Sequence, residues 1–276
     1  MDIENGQVAL LWLAVALYAA GTVLLVARAV FELDARWQSR ALVVGALGLL
    51  PHTGAIVLRW IEVQHGPYIS FYEVASSDSW VAVALFALVA WRFPRMRPAG
   101  MVVLPVSFLL IGAAVLSPRE GRELLPVLRS YWLVLHVVFA KLAYGPYLLG
   151  LGAAVLYLFA RRRGEGVEKG RLNDPAMLDE LSYRFIAFGF LMHIVMVIAG
   201  AIWAKQAWGS YWSWDPIETW SLVSWLAFGI VLHLRVVHNW REVRAAWGTI
   251  AGVALVAFAF FAIPFLGGSH QALLAF

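Results

Sequence analysis

Eight apolar stretches, each about as long as a lipid bilayer is thick, constrain the fold of this 276-residue chain more than any other feature. Hydrophobic residues make up 62% of the sequence and charged residues only 14%, whereas about 25% of residues are charged in soluble domains. A helix of about 20 apolar residues spans the hydrocarbon core and satisfies its own backbone hydrogen bonds there, and the alternating pattern of a membrane barrel is missing. The sequence therefore predicts an all-α polytopic membrane protein, a single integral membrane domain over residues 1–276.

The order of apolar and basic segments predicts the topology. The predicted transmembrane helices are residues 8–27, 41–61, 77–92, 99–117, 131–160, 183–204, 218–238 and 248–266. Fifteen basic residues fall in one set of loops between them and five in the other set, and basic loops stay on the cytoplasmic side. The sequence therefore predicts about eight transmembrane helices with both termini on the outer side, a cytoplasmic loop at 161–183 and an external loop at 205–219.

Charge and cysteine content exclude several classes of function. The sequence pI of about 9.5 does not indicate a nucleic-acid partner, because the basic residues lie in short loops where membrane topology accounts for them. The chain contains no cysteine, which excludes thiol chemistry, disulfides and cysteine metal sites of its own. The acidic start lacks the positive region of a cleavable signal peptide, so we expect the first helix to be retained.

A cluster of tryptophans marks the external loop. Six of the 14 tryptophans lie between Trp203 and Trp225, where Gly, Ser and Asp-Pro interrupt any smooth apolar helix. An interfacial belt explains one or two tryptophans per helix end, whereas flat indoles at this density suit stacking on a planar ring. The Asp-Pro pair is expected to cap the next helix rather than to act as an acid or base. The predicted binding residues for a flat aromatic ligand are Trp208, Trp212, Trp214, Asp215 and Trp220.

The seven histidines are the candidate metal ligands of the chain. His136 lies about one turn inside the fifth helix, and His270 follows the last helix, so both are predicted at the same membrane face as the tryptophans. His52, His193 and His233 lie within spans. A single histidine in a membrane helix can simply hydrogen-bond across helices. A pair of histidines beside an aromatic platform instead indicates two axial ligands for the iron of a haem.

The motif WGSYWSWDPIETW, residues 208–220, resembles the WWD signature of membrane haem-handling proteins, in the form found in the CcsA (ResC) family of System II cytochrome c maturation. The resemblance covers most of the chain, including RWIEVQHGPYISFYE, LVLHVVFAKLAYGPYLLG, WLAFGIVLHLR and GGSH. It implies that His136 and His270 ligate haem at the external site and that His233 helps to hold haem within the membrane. His52 is the predicted partner of His233 there, and His193, at comparable depth, is the alternative.

The resemblance also implies a function and partners. A family member handles haem b and presents it at the outer face for covalent attachment to apocytochrome c, as a subunit of a cytochrome c synthase, or haem lyase, complex. The implied partners are a CcsB (ResB)-type membrane protein, an apocytochrome with a Cys-x-x-Cys-His motif and, indirectly, a thioredoxin-like thiol reductant. The implied location is the bacterial inner membrane or its thylakoid equivalent, with the tryptophan loop on the periplasmic side. Three alternatives stay open: a haem exporter without synthase activity, a relative linked to haem biosynthesis, and a di-haem b-type redox protein.

Overall fold

The computed structural model describes residues 3–117, 125–162 and 174–261, and within these ranges the chain forms α-helices and no strand. Eight helical segments are long and apolar enough to cross a membrane, and one of them, Arg36–Val63, consists of two consecutive helices. The predicted all-α fold with eight transmembrane helices is therefore confirmed, while the side on which the termini lie stays a prediction. The helices are α1 (Ile3–Phe31), α2 (Arg36–Leu47), α3 (Leu49–Val63), α4 (Phe71–Arg92), α5 (Gly100–Leu116), α6 (Tyr131–Arg162), α7 (Pro175–Trp208), α8 (Pro216–His238) and α9 (Glu242–Phe261).

Two helices begin earlier than the apolar pattern predicts, because capping residues start them. The Ser70 side chain accepts a hydrogen bond from the Glu73 backbone N–H, and the Glu73 carboxylate accepts one from the Ser70 backbone N–H, which starts α4 with a capping box. The Asp174 side chain accepts from the Ala176 N–H at 3.0 Å and starts α7. Residues 176–181 are therefore the first turns of α7, because neither Gly nor Pro lies between Pro175 and the predicted start of the span at residue 183.

The chain divides into two compact units, residues 1–123 and 124–276, called here the first and second units. In the first unit, α1 packs against α2 and α3, α3 packs against α4, α4 packs against α5, and α5 returns to α1. Large buried side chains fill the core between these helices. These are Tyr18, Phe86, Leu104 and Ile111.

In the second unit, as in the first, consecutive helices pack against each other and the last helix packs against the first. Helix α6 packs along α7, α7 packs against α8, α8 packs against α9, and α9 returns to α6. At its centre, the rings of Tyr147 and Phe228 stack with centroids 4.0 Å apart, and Ile186 and Val256 complete the buried cluster. Burial of aromatic and branched side chains from all four helices fixes their relative positions within this unit.

Candidate functional site

The tryptophan segment, residues 208–220, joins α7 to α8 in the second unit. Gly209 ends α7 with a left-handed φ of +81° and donates its N–H to the carbonyl of Lys205 at 3.1 Å, a conformation that glycine adopts without a Cβ penalty. At the other end, the Asp215 carboxylate accepts from the Ile217 N–H at 2.9 Å, and Pro216 occupies the first helical position. The predicted Asp-Pro cap is confirmed, and both ends of the segment are held by helix termini.

Side-chain hydrogen bonds hold the middle of the segment. The Glu218 carboxylate accepts from the backbone N–H of Ser213 at 2.8 Å and from its hydroxyl at 3.2 Å. The Ser210 hydroxyl donates to the Trp212 carbonyl at 2.8 Å. Both acidic side chains of the segment, Asp215 and Glu218, are therefore occupied in fixing the backbone.

The indoles of the segment differ in exposure and meet edge to face. Trp214 is 69% exposed and adopts a left-handed φ of +60°, and its ring stands perpendicular to that of Trp212 at 5.8 Å. The Trp208 ring stands edge-on to that of Trp203, also in α7, with centroids 5.1 Å apart. Trp220 packs edge-on against Phe258 of α9 at 4.7 Å. At the exposed end of the segment, the rings of Trp212 and Trp214 therefore face two perpendicular directions. Trp220 instead packs α8 against α9.

His136 lies at the same end of the second unit as the tryptophan segment. The start of α6 is tied to the end of α7 by the hydrogen bond from the Ser130 hydroxyl to the Gln206 side chain at 2.8 Å. The Nδ1 atom of His136 lies 2.9 Å from the backbone carbonyl oxygen of Met196 in α7. A carbonyl oxygen only accepts, so Nδ1 carries the proton and Nε2 carries the lone pair that a metal needs.

Gly200 makes the approach of His136 to α7 possible. A Cβ atom built on Gly200 would lie 2.6 Å from Nδ1 of His136, far inside van der Waals contact. Neither Gly200 nor the carbonyl of Met196 was predicted from the sequence. A glycine seven residues after His193 in an apolar helix is the only signal there, and it does not reveal which side chain it faces.

His233 is exposed on the surface of α8, with its ring 6.1 Å from that of His238. Eighteen residues separate it from Asp215, which corresponds to about 27 Å along the helix axis. His233 is therefore at the opposite end of α8 from the tryptophan segment. Two residues later, the buried Arg235 binds Asp179 of α7 through two nitrogens, each at 2.9 Å.

The other predicted ligands fall elsewhere. His52 lies in the first unit, fully buried, with Nδ1 3.0 Å from the Tyr18 hydroxyl and Nε2 3.1 Å from the Ser76 hydroxyl. His193, the alternative, is fully buried in the second unit. His270 lies outside the described residues, so its pairing with His136 stays a prediction.

The sequence model of the cytochrome C assembly protein family matches residues 41–270 of the chain. A protein from Gloeobacter violaceus, named cytochrome c biogenesis protein CcsA, is 32% identical over 92% of this chain and 94% of its own. The CcsA of Guillardia theta is 34% identical over 77% of this chain and 78% of its own.

The chain belongs to the CcsA family of cytochrome c assembly proteins. Membership assigns this integral membrane protein to cytochrome c biogenesis. Among solved structures, the cytochrome c haem lyase CcmF superposes with a TM-score of 0.70 at 19% identity, covering 100% of this chain and 51% of that one. The chain thus spans about half the length of that lyase and shares its fold over that half.

Proposed function

We propose that the chain holds haem b in the membrane and presents it at the outer face, where an apocytochrome c takes it up covalently. The cysteine thiols of the apocytochrome Cys-x-x-Cys-His motif add across the haem vinyl groups, so that each thiol forms one thioether bond and no group leaves. This chain contributes no thiol, since it has no cysteine. Its contribution is to hold the ring in the reactive orientation, which by itself supplies a large part of a rate.

The geometry of His136 carries the proposal. A histidine that binds a metal through one ring nitrogen commonly donates the N–H of the other nitrogen to a carbonyl. This hydrogen bond fixes the tautomer and makes the coordinating nitrogen a stronger ligand. The contact to Met196 provides this support, and it leaves Nε2 as the coordinating nitrogen. The proposed second axial ligand is His270, the residue that the family resemblance indicates.

The tryptophan segment is the proposed platform for the ring. Trp212 and Trp214 lie at its exposed end, and their perpendicular rings offer one face and one edge to a flat apolar ligand. The Lys205 side chain donates to the Gly209 carbonyl of the segment at 2.7 Å and lies over the Tyr211 ring at 5.6 Å. Its ammonium group is the proposed contact for a haem propionate.

His233 is the proposed ligand for haem in transit, at a second position about 27 Å away along α8. It belongs to an exposed stripe spaced at three and four residues, otherwise made of Val223, Leu226, Ile230 and Val237. A histidine facing lipid is costly, so polar residues in such positions are usually covered by protein or ligand. This stripe is the proposed contact for the CcsB-type partner.

His52 has no iron bond in this proposal. Both of its ring nitrogens are engaged by hydroxyls within the first unit, and coordination would require that one of these bonds be broken. The prediction that His52 ligates haem stays a prediction.

The test is the absorption spectrum and haem content of the full chain, extracted with its membrane partner in mild detergent. We expect His136→Ala to lose haem at the outer site and to reduce cytochrome c yield to background. His233→Ala should lose the haem in transit, whereas His238→Ala, its exposed neighbour, serves as the matched control and should behave like the wild type. Unchanged haem and unchanged yield in His136→Ala would contradict the proposal. Haem delivery that proceeds without any attachment would favour the exporter alternative.

A further inference from the structure

Two buried histidines, His52 and His193, lie in hydrogen-bond networks of the same composition. In the first unit, Nδ1 of His52 faces the Tyr18 hydroxyl at 3.0 Å and Nε2 faces the Ser76 hydroxyl at 3.1 Å. All three side chains are buried. They come from the first, second and third transmembrane segments of that unit, so one imidazole connects three helices.

The second unit repeats this arrangement atom for atom. Nδ1 of His193 faces the Tyr147 hydroxyl at 3.3 Å, and Nε2 faces the Ser221 hydroxyl at 3.3 Å. The tyrosine and histidine rings lie 5.9 Å apart at 61°, against 6.0 Å and 59° for the pair in the first unit. These residues again come from the first, second and third segments of their unit.

A glycine stands four residues before the histidine in both units and receives the tyrosine ring. A Cβ atom on Gly48 would lie 2.5 Å from a ring carbon of Tyr18, and one on Gly189 would lie 2.5 Å from a ring carbon of Tyr147. Residues four apart share one helix face. The glycine and histidine therefore form one Gly-x-x-x-His surface against which the tyrosine packs.

The third segments also begin alike. Ser70 caps α4, with Glu73 at the third helical position and Ser76 three residues further on. Asp215 caps α8, with Glu218 and Ser221 at the same offsets. Together with the same closed order of helix packing in each unit, these matches relate the two units residue by residue.

We propose that the chain is an internal duplication of one four-span unit, in which His52 and His193 are equivalent positioning residues and neither is an iron ligand. The Tyr–His–Ser network fixes the third segment of its unit against the first two. In the second unit that segment is α8, and Ser221 directly follows the tryptophan segment, six residues after the cap at Asp215. Through this contact His193 sets the angle at which the tryptophan segment meets haem, a consequence that rests on the proposed function.

The chemistry of the network supports this assignment. A neutral imidazole has one N–H and one lone pair, and two hydroxyl groups, each able to donate or accept, use both. An iron ligand needs that lone pair for the metal. At the place of the tryptophan segment, the first unit has the short connection 64–70, so haem handling belongs to the second copy alone.

The first experiment compares equivalent variants of the full chain in its detergent-extracted complex. Ser76→Ala and Ser221→Ala should lower the midpoint of thermal unfolding by similar amounts, and each serine should couple to its own histidine in a double-mutant cycle of the same sign. If the histidine variants do not fold, Tyr18→Phe and Tyr147→Phe remove the other hydroxyl and keep the ring. Coupling in one unit and none in the other would overturn the equivalence.

The second experiment separates positioning from general stability. Haem is offered to an excess of apomyoglobin, and its loss from each complex is followed by absorption. Ser221→Ala should release haem several-fold faster than the wild type while keeping its low-spin spectrum, and Ser76→Ala should release it at the wild-type rate. Equal release from both serine variants would contradict a positioning role for the network of the second unit.

The third experiment tests the absence of an iron bond. His52→Ala and His193→Ala should keep the low-spin haem spectrum, whereas His136→Ala should lose it. A high-spin spectrum in either of the first two variants would overturn the proposal. If His136→Ala also keeps the wild-type spectrum, the proposed function fails. The unfolding midpoints and coupling energies of the first experiment still test whether the two units are equivalent.

Discussion

Nδ1 of His136 lies 2.9 Å from the carbonyl oxygen of Met196, and this contact connects the beginning of α6 to α7, twelve residues before the tryptophan segment. It decides which nitrogen of the imidazole can coordinate, because a carbonyl holds the proton on Nδ1. It also places the ring against Gly200, where no side chain stands in the way. The imidazole is therefore held in one orientation by the backbone of a neighbouring helix, as its proposed role in ligating haem requires.

Gly200→Ala should disturb the outer haem site. The new Cβ would lie 2.6 Å from Nδ1 of His136, so the imidazole must move away from the Met196 carbonyl. We expect a lower haem content and a shifted absorption maximum, measured on the purified complex. Gly112→Ala is the matched control, because a Cβ there meets nothing within 4 Å. Its free energy of unfolding should rise by roughly 0.5–1 kcal/mol, because alanine has a higher helix propensity than glycine. A wild-type spectrum in Gly200→Ala would contradict the claim that the position of the His136 imidazole against α7 determines how haem binds.

Asp215→Ala should loosen the tryptophan segment. The variant removes the acceptor for the Ile217 N–H, and the loss of such a cap costs about 1 kcal/mol. We expect faster haem loss to a scavenger, with Asp215→Asn restoring most of the retention since Asn also caps helices. Asp174→Ala removes the corresponding cap of α7 and should leave haem retention unchanged. If Asp215→Ala and Asp174→Ala retain haem equally well, the cap of α8 does not contribute to haem binding.

Arg235→Ala should be strongly destabilising. Its guanidinium is bound to both oxygens of Asp179 at 2.9 Å and lies over the Tyr183 ring at 4.5 Å. Removing one partner of a buried ion pair leaves an uncompensated charge and costs about 3–5 kcal/mol. Thermal unfolding in detergent measures the loss. The exposed pair of Arg36 and Asp34 provides the comparison, since Arg36→Ala should cost at most about 1 kcal/mol.

Tyr68 predicts a pH dependence at the connection between α3 and α4. Burial, and then the negative charge of Glu73, raise the pKa of Tyr68 above its ordinary value of 10.0. The folded state therefore binds this proton more tightly than the unfolded state, and the stability from Tyr68 is present below pH 10.0 and lost as the pH rises through the folded pKa. Unfolding midpoints measured on both sides of pH 10 should fall more steeply for the wild type than for Tyr68→Phe. Parallel curves would contradict the shift.

Local chemistry made part of this structure predictable. The cap at Asp215 depends on residues adjacent in the chain, so the sequence pattern predicted this helix start correctly. The eight spans follow from hydropathy because lipid enforces one kind of backbone. The sequence singled out His136 because its segment resembles one in a known family, and its role as a ligand stays a prediction.

Contacts between helices were not predictable in this way. The support of His136 comes from a backbone carbonyl of Met196, 60 residues later, and every residue carries such a carbonyl. The repeated Tyr–His–Ser network is hidden because its tyrosine and histidine are 34 residues apart in the first unit and 46 in the second. Only the packed helices bring these side chains to equivalent places.

The most direct test of the central claim is the reduction potential of haem in His136→Met. A thioether in place of an imidazole raises the potential of haem iron, so the account predicts a higher midpoint potential and a histidine–methionine absorption signature in the purified complex. His65→Met, a change in the connection before α4, should give neither. A wild-type potential and spectrum in His136→Met, with haem content unchanged, would contradict the claim that His136 ligates haem.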